Sequence, residues 1–131
     1  MGDYSPVNSS DATPYTRTAG ATIVGGTLVS ASADETVITC VTGTRPVGVA
    51  AQDAVTGARF TVWPLPGIIH EVTVEGVLAV VAGNTIIPGA TGFIKAGAGL
   101  AADAAAGTLI GMATRGGTGG TGTGKARFIG T

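Results

Sequence analysis

The chain has 131 residues and a mass of 12.6 kDa, which suits one domain. Seven Lys and Arg stand against eight Asp and Glu, and charged residues make up only 11% of the chain, under half the roughly 25% of an ordinary soluble domain. Seven scattered basic residues leave no electrostatic footprint for nucleic acid. A hydrophobic content of 44% at such low charge argues against intrinsic disorder. One cysteine, Cys40, excludes both an internal disulfide framework and a multi-cysteine metal site.

Residues 1–18, MGDYSPVNSSDATPYTRT, are polar and proline-bearing and show neither helical nor strand period. Neither a basic n-region nor an apolar h-region is visible, so no signal peptide is expected. The segment reads as an extended N-terminal arm. It is either a frayed end or a segment that orders on a partner, with Tyr4, Pro6, Pro14, Tyr15 and Arg17 as anchors. On the second reading, removal of residues 2–17 should leave the remainder folded and weaken attachment to the partner.

From residue 19 onward the signal is that of a single β domain. Short runs rich in Val, Ile and Thr alternate with Gly, Pro and Asp at the spacing of a β-sandwich or barrel. Strands are predicted near 21–24, 27–31, 36–42, 46–52, 58–63, 70–75, 77–81, 92–95, 108–114 and 125–130. Cys40 falls in one of them as a small buried hydrophobe. Arg59–Trp63 alternates with Phe60 and Val62 inward, and residues 71–75 place Val72 and Val74 on one face. Trp63-Pro64-Leu65-Pro66-Gly67 ends a strand, because neither proline can donate to a ladder. It reads as a stiff connection with Trp63 over the core, or as an exposed apolar loop at an interface. The charge-free stretch from Gly76 to Ile94 contains Asn84, Pro88 and four glycines. It therefore reads as strand, turn, strand and not as a membrane span. Leu100–Ala106 alone has helical composition. There is also an echo: Val47–Ala50 leads to Ala58-Arg59-Phe60, as Ile110–Ala113 leads to Ala126-Arg127-Phe128, two hairpins on one plan.

Three segments imitate chemical motifs. Gly119 to Lys125 nearly spells a phosphate-binding loop, but Ala126 stands where a Mg²⁺-binding hydroxyl is required, and no helix can follow. Gly97-Ala98-Gly99 before Leu100 imitates a dinucleotide fingerprint without a βαβ unit. His70 and Glu71 are adjacent in a strand, so their side chains point to opposite faces. A lone histidine cannot supply a zinc site. The expectation is therefore no catalytic residues, no cofactor, no metal and no enzymatic activity.

The order of glycine-punctuated strands resembles the small bacteriophage capsid decoration, or head cement, proteins. The resemblance runs from about residue 20 to the end. It lies in Gly20-Ala21 to Val29, Pro46 before Val47-Gly48-Val49-Ala50, and Asp53-Ala54 with Gly57. It continues in Val74-Glu75-Gly76-Val77, Ile87-Pro88-Gly89-Ala90, and Ala104–Gly107 before Ile110–Ala113. The Thr/Gly-rich loop at 116–124 and the tyrosine-bearing arm depart from the family pattern. The resemblance implies an all-β virion protein on the outer capsid surface, made in the host cytoplasm. It further implies contact with the major capsid protein and capsomer bridging as a homotrimer, without nucleic-acid or membrane partners. Two other readings stand beside it. One is another virion component, such as a tail or head fibre. The other is a module for glycans or host surfaces, which the scarcity of aromatics and amides disfavours. Candidate capsid or subunit contacts are Tyr4, Pro6, Pro14, Tyr15 and Arg17 of the arm and Trp63, Pro64, Leu65 and Pro66 of the loop.

Overall fold

A computed structural model describes residues 3–8, 12–76, 79–118 and 124–131. The fold is all-β. Five strands close a barrel in the order β1-β3-β2-β4-β5: β1 (Tyr15–Ala19), β2 (Leu28–Ala33), β3 (Thr36–Thr39), β4 (Gly48–Ala50) and β5 (Arg59–Trp63). All its pairings are antiparallel except β1 with β3. A five-stranded sheet follows in the order β6-β12-β10-β8-β9. Its members are β6 (Ile69–Thr73), β8 (Thr85–Pro88), β9 (Ile94–Ala96), β10 (Gly111–Arg115) and β12 (Lys125–Gly130). The short β7 (Ala79–Val80) and β11 (Gly117–Thr118) pair with each other. The helix α1 spans Leu100–Ala106 and ends on Gly107, whose φ of 74° is the left-handed conformation that glycine adopts at a helix C-terminus.

Two hydrophobic clusters hold this arrangement. One fills the barrel with Ile23, Val29, Val37, Ala50, Phe60 and Val62. The other lies between the barrel wall and the five-stranded sheet, with Leu28, Val49, Val72, Val74, Ile86 and Phe128 among its members. Strands β2 and β4 form the shared wall. Leu28 and Val49 face the sheet while their neighbours Val29 and Ala50 face the barrel interior. Alternate strand residues point to opposite faces, so a strand with a core on each side is apolar at every position. Gly48-Val49-Ala50 is buried throughout.

The two echoing segments are the antiparallel pairs β4·β5 and β10·β12. Phe60 anchors the barrel core and Phe128 the second core, so one local plan serves both halves. Gly130 lies close against the connection between them. A Cβ there would run into the Leu65 carbonyl, in the connection that joins β5 to β6.

Three elements differ from the sequence-based expectation. Tyr15–Ala19 is a barrel strand, paired on one side with β5 and on the other with β3. The arm therefore ends before Tyr15, not at residue 18, and residues 15–18 belong to the β domain. The reason is tertiary. Tyr15-Thr16-Arg17-Thr18 carries no hydrophobic alternation of its own, yet its main chain closes the gap between two strands whose edges would otherwise be open. Thr85–Pro88 is a further strand; Pro88 lies past the residues that pair with β10 and keeps only its β9 partner, so its missing N–H breaks no ladder on that side. Residues 21–24, expected as a strand, contribute only a bridge from Ile23 to Ala54.

Candidate functional site

The nine residues singled out as contacts fall in three settings. In the first, the N-terminal segment lies back on its own domain. The Tyr4 amide donates to the Ala51 carbonyl at 2.6 Å, the Val7 amide to Ile69 at 2.9 Å, and the Ile69 amide to Asn8 at 3.1 Å. Asn8 and Ile69 form a bridge, so residues 7 and 8 cover part of the open edge of β6. Tyr4 is half-buried, its ring stacked on His70 with centroids 6.0 Å apart and its hydroxyl 2.9 Å from Nδ1. Burial raises the Tyr4 phenol well above its ordinary range. Pro6 is partly buried between these two anchor points.

In the second setting, Tyr15 and Arg17 sit on β1. The Tyr15 hydroxyl donates to the Val47 carbonyl at 2.8 Å, and the Arg17 guanidinium lies 4.4 Å over the Tyr15 ring. The pair is a local cation–π contact on the barrel wall, and Pro14 leads into it, partly buried.

The third setting is the 63–66 loop, where most of the chain faces inward. Trp63 pairs with Val49 at the end of β5, and Leu65 is only 5% exposed. The Pro64 carbonyl accepts from His70 Nε2 at 2.8 Å. Leu65 therefore offers no surface to a partner in this structure; among these four residues only Pro66 is exposed. The loop is a connection between the two halves, held by main-chain bonding near Gly130.

A surface that sequence reasoning missed lies on the outer face of the five-stranded sheet. Ile69, Ile129 and Met112 stand opposite one another across β6, β12 and β10. All three are at least partly exposed, Ile129 at 38%. The adjoining outward row holds Glu71 and Arg127, paired at 3.0 Å. No local signal marks the apolar row, because its members are far apart in the chain and only strand register aligns them.

The motif-like segments have structural explanations. The Asp103 carboxylate accepts from the Thr85 hydroxyl at 2.5 Å, from the Ala98 amide at 3.1 Å and from the Gly99 amide at 3.2 Å. Those bonds hold the carboxyl below its usual range. The amides that a bound phosphate would need before α1 are thus already occupied by an internal anion. Of the other imitation, residues 119–123 lie outside the described residues, and Lys125 opens strand β12. His70 points into the core while Glu71 points outward to Arg127. Cys40 is buried just past the end of β3, and burial pushes its thiol up to about 11. Among the described residues no cluster of His, Cys, Asp and Glu could hold a metal ion, and no helix is long and apolar enough to cross a membrane. A cleft of about 350 Å³ lies beside Tyr4, bordered by Phe93, Glu71, Thr73 and Lys125.

No family model matches the chain, and no curated protein matches it in sequence. Among solved structures, the N base of head fiber gp8.5 of bacteriophage phi29 superposes with a TM-score of 0.67 at 17% identity. The chain shares the fold of a phage head-fiber base. The likeness covers 92% of this chain and 94% of that one, so it takes in the barrel and the five-stranded sheet together.

Proposed function

We propose that this chain is a structural protein of a phage virion, seated on the outside of the capsid as the base of a head fibre. The observation that carries this reading is the likeness to the head-fiber base over nearly the full length of both chains. The resemblance in sequence pattern to capsid decoration proteins favours the same location. It does not by itself favour capsomer bridging, and the structural likeness makes the fibre-base reading the stronger of the two. The role assigned is binding without catalysis, with the major capsid protein as partner and three copies associating around one axis.

The outer face of the sheet suits such seating. Its apolar row of Ile69, Ile129 and Met112 is bordered by a half-exposed ion pair, the arrangement of an apolar centre with a polar rim that protein interfaces use. A small glycine-rich β domain also gains from association, since its chain entropy is large and its big side chains are few.

The test is to mix the purified protein with capsids that lack it and to image the particles. Density at discrete outer positions is expected, with no gain in the heat resistance of the capsids. Full occupancy accompanied by a marked rise in capsid melting temperature would instead establish the bridging role. Absence of density at any concentration would refute both. Ile129→Asp should reduce occupancy while circular dichroism stays that of the parent protein.

A further inference from the structure

His70 is the only histidine in the chain and is fully buried. Its ring lies between Tyr4 and Phe128, with centroids 6.0 and 5.7 Å away. Both ring nitrogens are engaged. Nε2 is 2.8 Å from the Pro64 carbonyl oxygen and Nδ1 is 2.9 Å from the Tyr4 hydroxyl. A carbonyl oxygen can only accept, so Nε2 carries the proton, Nδ1 keeps its lone pair, and the tyrosine hydroxyl donates to it. The same hydroxyl oxygen accepts the Glu71 amide at 3.2 Å. Every proton in this relay has one direction, and only a neutral imidazole satisfies it.

We propose that the Tyr4–His70–Pro64 relay is an acid-sensitive latch that holds the N-terminal segment on the edge of β6, closed while His70 is neutral and released when the ring takes up a second proton. Protonation turns Nδ1 into a donor that faces the hydroxyl hydrogen. The hydroxyl can rotate, but its oxygen must then receive two N–H groups and its own hydrogen loses the Nδ1 acceptor.

The Pro64 carbonyl favours the protonated ring, but burial outweighs it, and among the described residues no charged group pairs with the ring. Among the described residues of the N-terminal segment the titratable neighbours are Tyr4 itself and the exposed Asp3. On β6, Glu71 points to the opposite face and is bound by Arg127 of β12. Lys125 lies at the far end of β12, with Phe128 directly opposite the histidine. The 63–66 loop carries no charge, and Cys40 in the adjoining core is a neutral thiol. None of these makes an ion pair with the ring, so a charge there is both buried and unpaired.

Burial accordingly depresses the His70 pKa below its ordinary 6.5. The docked segment favours the neutral ring. Its stabilisation is therefore complete above the free value and is lost as pH falls toward and through the depressed one. Within that window each pH unit lowers the ratio of closed to open by up to about tenfold. Opening bares the amide and carbonyl of Ile69 and the amide of Glu71, the groups of the β6 edge that the segment now occupies.

Hydrogen exchange read by NMR on the full chain tests this, comparing about pH 7.5 with about pH 5 and correcting each amide for its intrinsic rate. The Ile69 and Glu71 amides should lose about tenfold or more of their protection, while barrel amides of β1 and β5 keep theirs. Tyr4→Phe retains the ring and removes the hydroxyl. It should leave Ile69 weakly protected already at the higher pH, with little further change on acidification. Three results would overturn the latch: unchanged protection at Ile69 and Glu71, loss in step with the barrel amides, or a wild-type pH profile in Tyr4→Phe.

Discussion

Removing residues 2–17 should unfold the barrel, whereas removing residues 2–8 should not. The longer deletion takes away Tyr15, Thr16 and Arg17, which pair in register with Val62, Thr61 and Phe60. About three ladder hydrogen bonds go with them, worth roughly 2–5 kcal/mol together. The half-buried Tyr15 ring packs against the barrel core and its hydroxyl bonds the Val47 carbonyl, adding about 1–2 kcal/mol. Only Thr18 and Ala19 then still bridge β3 and β5, and Phe60 and Val62 lose their register partners on β1. A total of about 3–7 kcal/mol is comparable with the whole stability of a small domain, about 5–15 kcal/mol. The shorter deletion removes the Asn8 contacts and Tyr4, which packs against the edge of the second core, but takes no strand from the barrel or the five-stranded sheet. Urea unfolding followed by circular dichroism and by Trp63 fluorescence would measure both variants. A truncation through residue 17 that unfolds cooperatively at the parental midpoint would falsify the assignment of β1 as a barrel strand.

The remaining predictions concern single residues. Asp103→Ala strands the buried Thr85 hydroxyl and two amides and should cost about 3–5 kcal/mol by chemical denaturation. Because the Asp103 pKa is depressed in the fold, the carboxylate stabilises above its free value of about 3.9, and that contribution is lost as pH falls through the folded value. The variant should therefore show a flatter stability profile below about pH 4 than the parent, and parallel profiles would contradict this. Phe128→Ala and Phe60→Ala, one in each core, should each cost about 3–5 kcal/mol; a loss under about 1 kcal/mol for either would mean that its core is dispensable. Cys40, buried with its thiol raised to about 11, should resist a disulfide reagent at neutral pH until denaturant is added. Rapid labelling of the native protein would refute its placement. Light scattering should give about three times the monomer mass if association closes on a three-fold axis, and a monomer at every concentration would remove the trimer from the proposed function.

Much of the β character was legible because it is local. Period-2 alternation at Phe60 and Val62 and at Val72 and Val74, with glycine and proline between runs, marks strands wherever one face is buried. The Ala-Arg-Phe echo was legible for the same reason, since each copy carries its own return strand and its own core phenylalanine. The mismatch between Gly119–Lys125 and a phosphate-binding loop was also local, written in Ala126. Other features depended on residues distant in the chain. Tyr15–Ala19 has a polar sequence and becomes a strand only because β3 and β5 leave a gap of its width. Tyr4 looked like an anchor for a partner, and its anchor is His70 of the same chain. Leu65 looked available in a proline-flanked loop, yet the loop crosses between two cores and buries it. The apolar row of Ile69, Ile129 and Met112 exists only through register. Sequence alone determined that the chain makes strands and where most of them break, because those properties follow from neighbouring side chains and backbone limits. Only the tertiary structure decided which edges meet, which aromatic finds which partner and which face stays open, because those depend on the free energy of closing contacts between distant segments.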